Sequence, residues 1–163
     1  MNVLIIGGGG RDHGLAWQAG QSRRVDTVFA APGNGGTATE PGVENVALNA
    51  IPELVAFAKK EQIHLTLVGP EAPLAAGIVD RFWNNGLRCC GPRKQAARLE
   101  SSKTFAKEFM VRHRIPTAHH ASFTDLEEAR AYLEEVGAPI VIKADGLAAG
   151  KGVVVAATEA EAL

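Results

Sequence analysis

Four short apolar runs, at residues 2–6, 25–30, 64–68 and 87–90, each end in a glycine- or proline-rich exit, with helical spacing between most of them. That alternation constrains the chain most. Repeated strand–helix units bury a shared core as a parallel sheet with helices on its faces. The first run leads into Gly7-Gly8-Gly9-Gly10, and residues 11–21 put Leu15, Ala16 and Ala19 on one helical face. Pro32-Gly33-Asn34-Gly35-Gly36 closes the second run as a loop. A weaker strand is expected at 43–48. Pro52 opens a helix at 52–62 with Leu54, Val55, Phe57 and Ala58 as its buried stripe, and Gly86 stops another at 74–85. The expected fold is α/β: a doubly wound parallel sheet, Rossmann-like, over residues 1–100. Ligands of such sheets bind beyond the carboxyl ends of the strands, where segments 7–10, 32–37 and 69–71 gather.

After Pro92 the pattern changes. Residues 96–114 read as helical with a break at Ser101-Ser102, and Ile115 before Pro116 is pushed into an extended conformation. A short strand is expected at 119–123. Thr124 and Glu127 have the spacing of a capping box that opens a helix to Val136. Strands at 139–143 and 153–157 flank a glycine-rich loop, and a helix starts at 158. It reaches the last residue after little more than one turn, too short to be stable alone. Residues 101–163 are therefore expected to be the start of a second, truncated domain.

Composition narrows the partners. With a formal net charge of −1, there is no electrostatic case for nucleic acid or an anionic membrane. No apolar run approaches the roughly 18 residues of a membrane span, and no basic region with a cleavage site opens the chain. A cytoplasmic location is expected. Cys89 and Cys90 have no ligand spacing around them and read as reduced strand thiols. His64, His113, His119 and His120 likewise lack the neighbours of a zinc site.

The segment Lys143-Ala144-Asp145-Gly146-Leu147-Ala148-Ala149-Gly150-Lys151-Gly152 has the chemistry of phosphate handling. Glycines admit an anion close to backbone N–H groups, and ammonium groups supply countercharge. It is not a Walker loop, because Gly146 and Gly150 enclose three residues and Gly152 follows Lys151 where a hydroxyl is required. The β-branched run Val153-Val154-Val155 makes it a hairpin between strands. The first glycine loop fails the dinucleotide pattern too. Its third glycine position falls on Asp12, and Ala30-Ala31-Pro32-Gly33 stands where an acidic residue belongs. A helix N-terminus beside Arg11 still suits the phosphate of a small ligand.

Residues 143–152 resemble the glycine-rich loop of the ATP-grasp ligases, in particular the KADGLAAGKGV segment of the phosphoribosylamine:glycine ligase (glycinamide ribonucleotide synthetase) family. Gly9-Gly10-Arg11-Asp12-His13 resembles that family's GGREHA, with Asp12 for Glu and Gly14 for Ala. Segment 31–37 resembles APGNAGT, and 68–74 resembles VGPEAPL. Leu99-Glu100-Ser101-Ser102-Lys103 with Phe105 and Phe109, then 115–118, is similar to LExSKxFxKxF and IPTA.

The resemblance implies the N-terminal portion of an enzyme of de novo purine synthesis. That enzyme joins glycine to 5-phosphoribosylamine, consumes ATP and passes through a glycyl phosphate. It implies a Rossmann-like substrate-binding domain over 1–100 and an incomplete ATP-grasp domain over 101–163. ATP contacts map to Lys103, Lys143, Gly146, Gly150, Lys151 and Gly152. Phosphoribosylamine contacts map to Gly9, Gly10, Arg11, Asp12, His13, Asn34, Thr37 and Glu71. Lys151 as a solvated lysine and Asp12 as a helix cap stay open. Ligands for Mg2+ or Mn2+ are expected downstream, so no metal ligand and no catalytic residue is assigned here. Residues 1–163 alone are expected to be inactive, and the full-length protein a monomer. Competing readings are a stand-alone sugar-phosphate-binding module, or one half of a split ligase with an apolar edge at 153–163 as its interface.

Overall fold

The computed structural model describes residues 1–148 and 151–163. The chain forms two compact units, Met1–Ala97 and Arg98–Leu163.

The first unit is built on a five-stranded parallel sheet. Its strands are β1 (Asn2–Gly7), β2 (Thr27–Pro32), β3 (Val43–Asn45), β4 (Ile63–Val68) and β5 (Cys89–Cys90), in the order β3-β2-β1-β4-β5. The helices α1 (Gly10–Gly20), α2 (Ile51–Lys60), α3 (Glu71–Ala76) and α4 (Ile78–Trp83) alternate with these strands, and α5 (Lys94–Ser101) follows. Central β1 is apolar without interruption, because successive side chains point to opposite faces and both faces are covered. Val3 and Ile5 pack with Ala16, Val28 and Ala30, while Leu4 and Ile6 pack with Phe29, Leu54, Ile78 and Phe82. From β1 the sheet grows outward through β2 to β3, then resumes on the other flank of β1 with β4. The reversal puts a crevice at the carboxyl ends of β1 and β4, the doubly wound architecture expected from the alternation.

The expected helix at 74–85 is instead two helices. Gly77 adopts φ +90°, a left-handed conformation open to glycine, and its N–H closes the end of α3 on Leu74 O. The chain restarts as α4, which buries Ile78, Val79 and Phe82. Cys89 is buried and Cys90 exposed, both free. Burial, then the neighbouring Cys90, pushes the Cys89 thiol up to about 12, so it stays protonated.

In the second unit, α6 (Lys103–Arg112) and α7 (Leu126–Val136) precede an antiparallel hairpin and the short α8 (Glu159–Ala162). The hairpin pairs β6 (Ile140–Lys143) with β7 (Val153–Ala156), with Ile140 opposite Ala156 and Lys143 opposite Val153. The helix break at Ser101-Ser102 is present. Ser102 is the N-cap of α6, and its Oγ accepts from Phe105 N at 3.2 Å.

Two expectations are corrected here. Asp125, not Thr124, caps α7, because its carboxylate accepts from both Glu127 N (2.9 Å) and Glu128 N (3.1 Å) at the positive end of the helix. The strand expected at 119–123 is absent, and side-chain bonds tie residues 117, 118 and 122 to α6 where a ladder was expected. Lys107 Nζ donates to Thr117 Oγ1 (2.7 Å) and Ala118 O (3.0 Å), and the Thr104 and Ser122 hydroxyls meet at 3.2 Å.

Candidate functional site

In the first unit, three loops meet at the carboxyl ends of β1, β2 and β4, and they carry all eight residues expected there. Gly9 is the N-cap of α1, followed by Gly10, Arg11 and Asp12 in its first turn. The amides of Gly10 and Arg11 have no partner inside the helix, since the first N–H groups of any helix lack one. Gly9 differs: its N–H donates to Asp12 Oδ2 at 2.8 Å.

Asp12 is 5% exposed and takes the capping role that the sequence left open. Its carboxylate lies in a cradle of backbone, where a Cβ added at Gly7 or Gly69 would overlap it. Oδ1 is buried there without a hydrogen-bond partner among the described residues.

Arg11 reaches across the crevice, donating from Nη2 to Gly69 O (2.7 Å) and Glu71 Oε1 (3.1 Å). Both charged side chains remain well exposed, so this pair orients more than it stabilises. A hydrogen bond from its own backbone N–H, then the Arg11 guanidinium, lowers the Glu71 pKa from the usual glutamate value. Its contribution to stability is therefore present above the unfolded-state pKa and is lost as pH falls through the lowered folded value. In an NMR titration, Arg11→Ala should raise the Glu71 midpoint yet leave it below an ordinary glutamate. Complete return to the ordinary value would show that the backbone contribution was misassigned.

Asn34 and Thr37 are positioned by hydrogen bonds within the protein. Asn34 Nδ2 donates to Gly8 O (3.0 Å) and Gly9 O (3.4 Å), while its Oδ1 accepts from Gly36 N (2.7 Å) and Thr37 N (3.0 Å). Thr37 is buried. Its Oγ1 accepts from Asn34 N at 2.7 Å and lies 2.7 Å from Asn45 Oδ1 as donor. Asn34 thereby ties the second loop to the first, and Thr37 fixes Asn34 against the end of β3. His13 adds a further tie, with Nε2 at 2.9 Å from Glu40 Oε1 and its ring against Gly36. Glu40 and Asn45 were not among the expected residues. Neither belongs to a recognisable motif, and only the fold brings them in.

In the second unit, Lys103 at the start of α6 donates from Nζ to Gly146 O at 2.7 Å. Lys103, Lys143 and Asp145 line one cavity of about 730 Å³, together with Tyr132 and Ile142. At the stem of the hairpin loop, Ala144 N donates to Gly152 O and Lys151 N to Ala148 O, each at 2.8 Å. The Lys151 side chain is exposed. Gly150 lies outside the described residues. Asp145, which was not assigned a role from sequence, accepts bonds from Ser102, Lys103 and Thr104.

Comparison with known proteins bears on this arrangement. Residues 1–100 match the family model described as phosphoribosylglycinamide synthetase, N domain, and residues 101–163 match the ATP-grasp (A) domain of the same synthetase. The chain belongs to the phosphoribosylglycinamide synthetase family.

Among curated relatives, a phosphoribosylamine–glycine ligase of Allochromatium vinosum is 63% identical over 158 residues, covering 96% of this chain and 37% of that protein. Among solved structures, a phosphoribosylamine–glycine ligase of Thermotoga maritima is similar with a TM-score of 0.78 and 32% identity, over 99% of this chain and 37% of that one. An N5-carboxyaminoimidazole ribonucleotide synthetase of the same organism shares the fold at a TM-score of 0.70 and 21% identity, over 94% of this chain and 40% of that one. The chain thus spans less than two fifths of the length of the curated phosphoribosylamine–glycine ligases it matches.

Proposed function

We propose that this chain supplies the sugar-phosphate cradle and part of the ATP-binding machinery of a phosphoribosylamine:glycine ligase. The reaction joins glycine to 5-phosphoribosylamine. A carboxylate expels oxide poorly, so a glycine carboxylate oxygen first attacks the terminal phosphorus of ATP, giving glycyl phosphate and ADP. The amine of phosphoribosylamine then attacks the acyl carbon, forming the amide, releasing phosphate and losing a proton. The protein's share of such chemistry is alignment and neutralisation of phosphate charge.

The observation that carries this reading is the first-unit cradle. There the start of α1, whose first amides at Gly10 and Arg11 have no partner inside the helix, and the Arg11 guanidinium that reaches Gly69 O lie at the sheet's switch point. Gly10 and Arg11 take the phosphate on the turn that Gly9 and Asp12 shape through their mutual hydrogen bond, while Glu71 offers an acceptor for hydroxyl or amine hydrogens. Asn34, Thr37 and His13 hold the cradle's walls. In the second unit, Lys103 and Lys143 hold the ATP phosphates under the loop that contains Gly146, Gly150, Lys151 and Gly152. Among the described residues no three His, Cys, Asp or Glu side chains gather as a metal would require. On this reading the domains divide between residues 100 and 101. On the same reading the whole protein is a cytoplasmic monomer; the formal net charge of −1 over these 163 residues gives no electrostatic case for nucleic acid, and no helix among the described residues is long and apolar enough to cross a bilayer.

The test is ADP formation by the full-length protein. It should require both glycine and phosphoribosylamine, and residues 1–163 alone should form none. Full-length protein that binds phosphoribosylamine and leaves ATP intact would instead be a sugar-phosphate-binding module.

A further inference from the structure

Asp145 lies 42 residues from Lys103 in sequence, yet Lys103 is held at two points by Asp145 and the residue that follows it. Asp145 Oδ1 accepts from the backbone N of Lys103 at 2.6 Å and of Thr104 at 3.3 Å, and its Oδ2 accepts from Ser102 Oγ at 3.1 Å. The next residue returns the contact, because Gly146 O accepts from Lys103 Nζ at 2.7 Å. Two consecutive residues of the glycine loop therefore hold Lys103 by its main chain and by its ammonium.

Capping alone does not account for this arrangement. Ser102 already caps α6 by accepting from Phe105 N. The added carboxylate comes from the loop stem and fixes the loop to the helix that bears the lysine. The Lys103 ammonium has three donors, and the Gly146 carbonyl takes one. Two stay available for phosphate oxygens while the loop remains attached.

We propose that Asp145 is a positioning residue for the nucleotide: it ties Asp145-Gly146, the start of the glycine loop, to α6 and so holds the Lys103 ammonium in place for the ATP phosphates. The proposal rests on the reading that this unit takes up ATP. The carboxylate is in the charge state the clamp needs. Hydrogen bonding, first from the Gly146 N–H and then from the Thr104 and Lys103 amides and Ser102, lowers the Asp145 pKa below the usual aspartate value against the opposing effect of desolvation.

Asp145→Asn in the full-length protein is the direct test, with amide hydrogen exchange in the absence of nucleotide and steady-state kinetics as readouts. Exchange at Lys103 and Thr104 should quicken, and the KM for ATP should rise about tenfold with the KM for glycine unchanged, as expected when a positioning contact is loosened. Faster exchange with an unaltered ATP KM would reduce Asp145 to a helix cap and overturn the proposal, as would unaltered exchange. Should Asp145→Asn fail to fold, Ser102→Ala retains the carboxylate and two amide bonds; its ATP KM should rise about threefold, and no change would overturn the clamp. A wild-type protein that consumes no ATP removes the ligase reading and the positioning role together. A wild type that does, with variants of unchanged ATP KM, removes the positioning role alone.

Discussion

Gly69→Ala is expected to destabilise the first unit by about 2–3 kcal/mol, because the new methyl would occupy the space of a buried carboxylate. The Asp12 carboxylate cannot swing aside. Gly7 closes the opposite wall of the cradle, where a Cβ would also overlap it. Relief requires breaking the 2.8 Å bond from Gly9 N and moving the first turn of α1. Urea unfolding followed by tryptophan fluorescence reports this unit alone, since both tryptophans, Trp17 and Trp83, lie within it. A double-mutant cycle identifies the cause: in an Asp12→Ala background the same glycine substitution should cost under about 0.5 kcal/mol. An equal loss in both backgrounds would mean that something other than the carboxylate occupies the space beside Gly69.

Phe82→Ala carries the other large effect, a loss of about 3–5 kcal/mol. The ring is fully buried on α4 in the cluster that contains Leu4, Leu54, Ile78 and Val79. Its backbone is engaged as well, since Phe82 O accepts from Asn85 N at 2.9 Å and Leu87 N at 3.0 Å on the way into β5. With the backbone tied, the helix cannot sink to fill the void, so the larger end of the range applies. Phe82→Leu, which keeps most of the volume, should lose less than about 1.5 kcal/mol. If the two variants unfold at the same urea concentration, α4 is free to collapse and the core is looser than its burial implies.

Periodic features of the chain were legible without coordinates, and features made by distant approach were not. The strands of the first sheet, their parallel arrangement and the hairpin around the glycine loop follow from apolar runs and their exits. So does the break before α6, where two serines offer a cap. Gly77 carries no stop signal of its own, because a single glycine inside a helical pattern is tolerated, and only its left-handed φ reveals the break. Asp125 was missed because Thr124 fits a motif, while a carboxylate one residue later competes better for the same amides. Asp12 shows the limit most clearly. Its identity suggested either a ligand contact or a cap, and the walls that confine it, Gly7 and Gly69, belong to two strand ends that only the folded sheet brings together. Glu40, Asn45 and Asp145 act through partners with no local signature, so sequence spacing offered no route to them.

Asn34 has its amide donor engaged by the loop after β1 and its amide oxygen engaged within its own loop, joining the loop after β2 to the loop after β1. The freedom of that segment is therefore given up when the chain folds, not when a ligand arrives. An arriving molecule meets a surface that is already in shape and loses little affinity to ordering it. Heat capacity and entropy of binding should accordingly resemble those of a rigid receptor, with association limited by encounter and not by rearrangement of the first-unit loops.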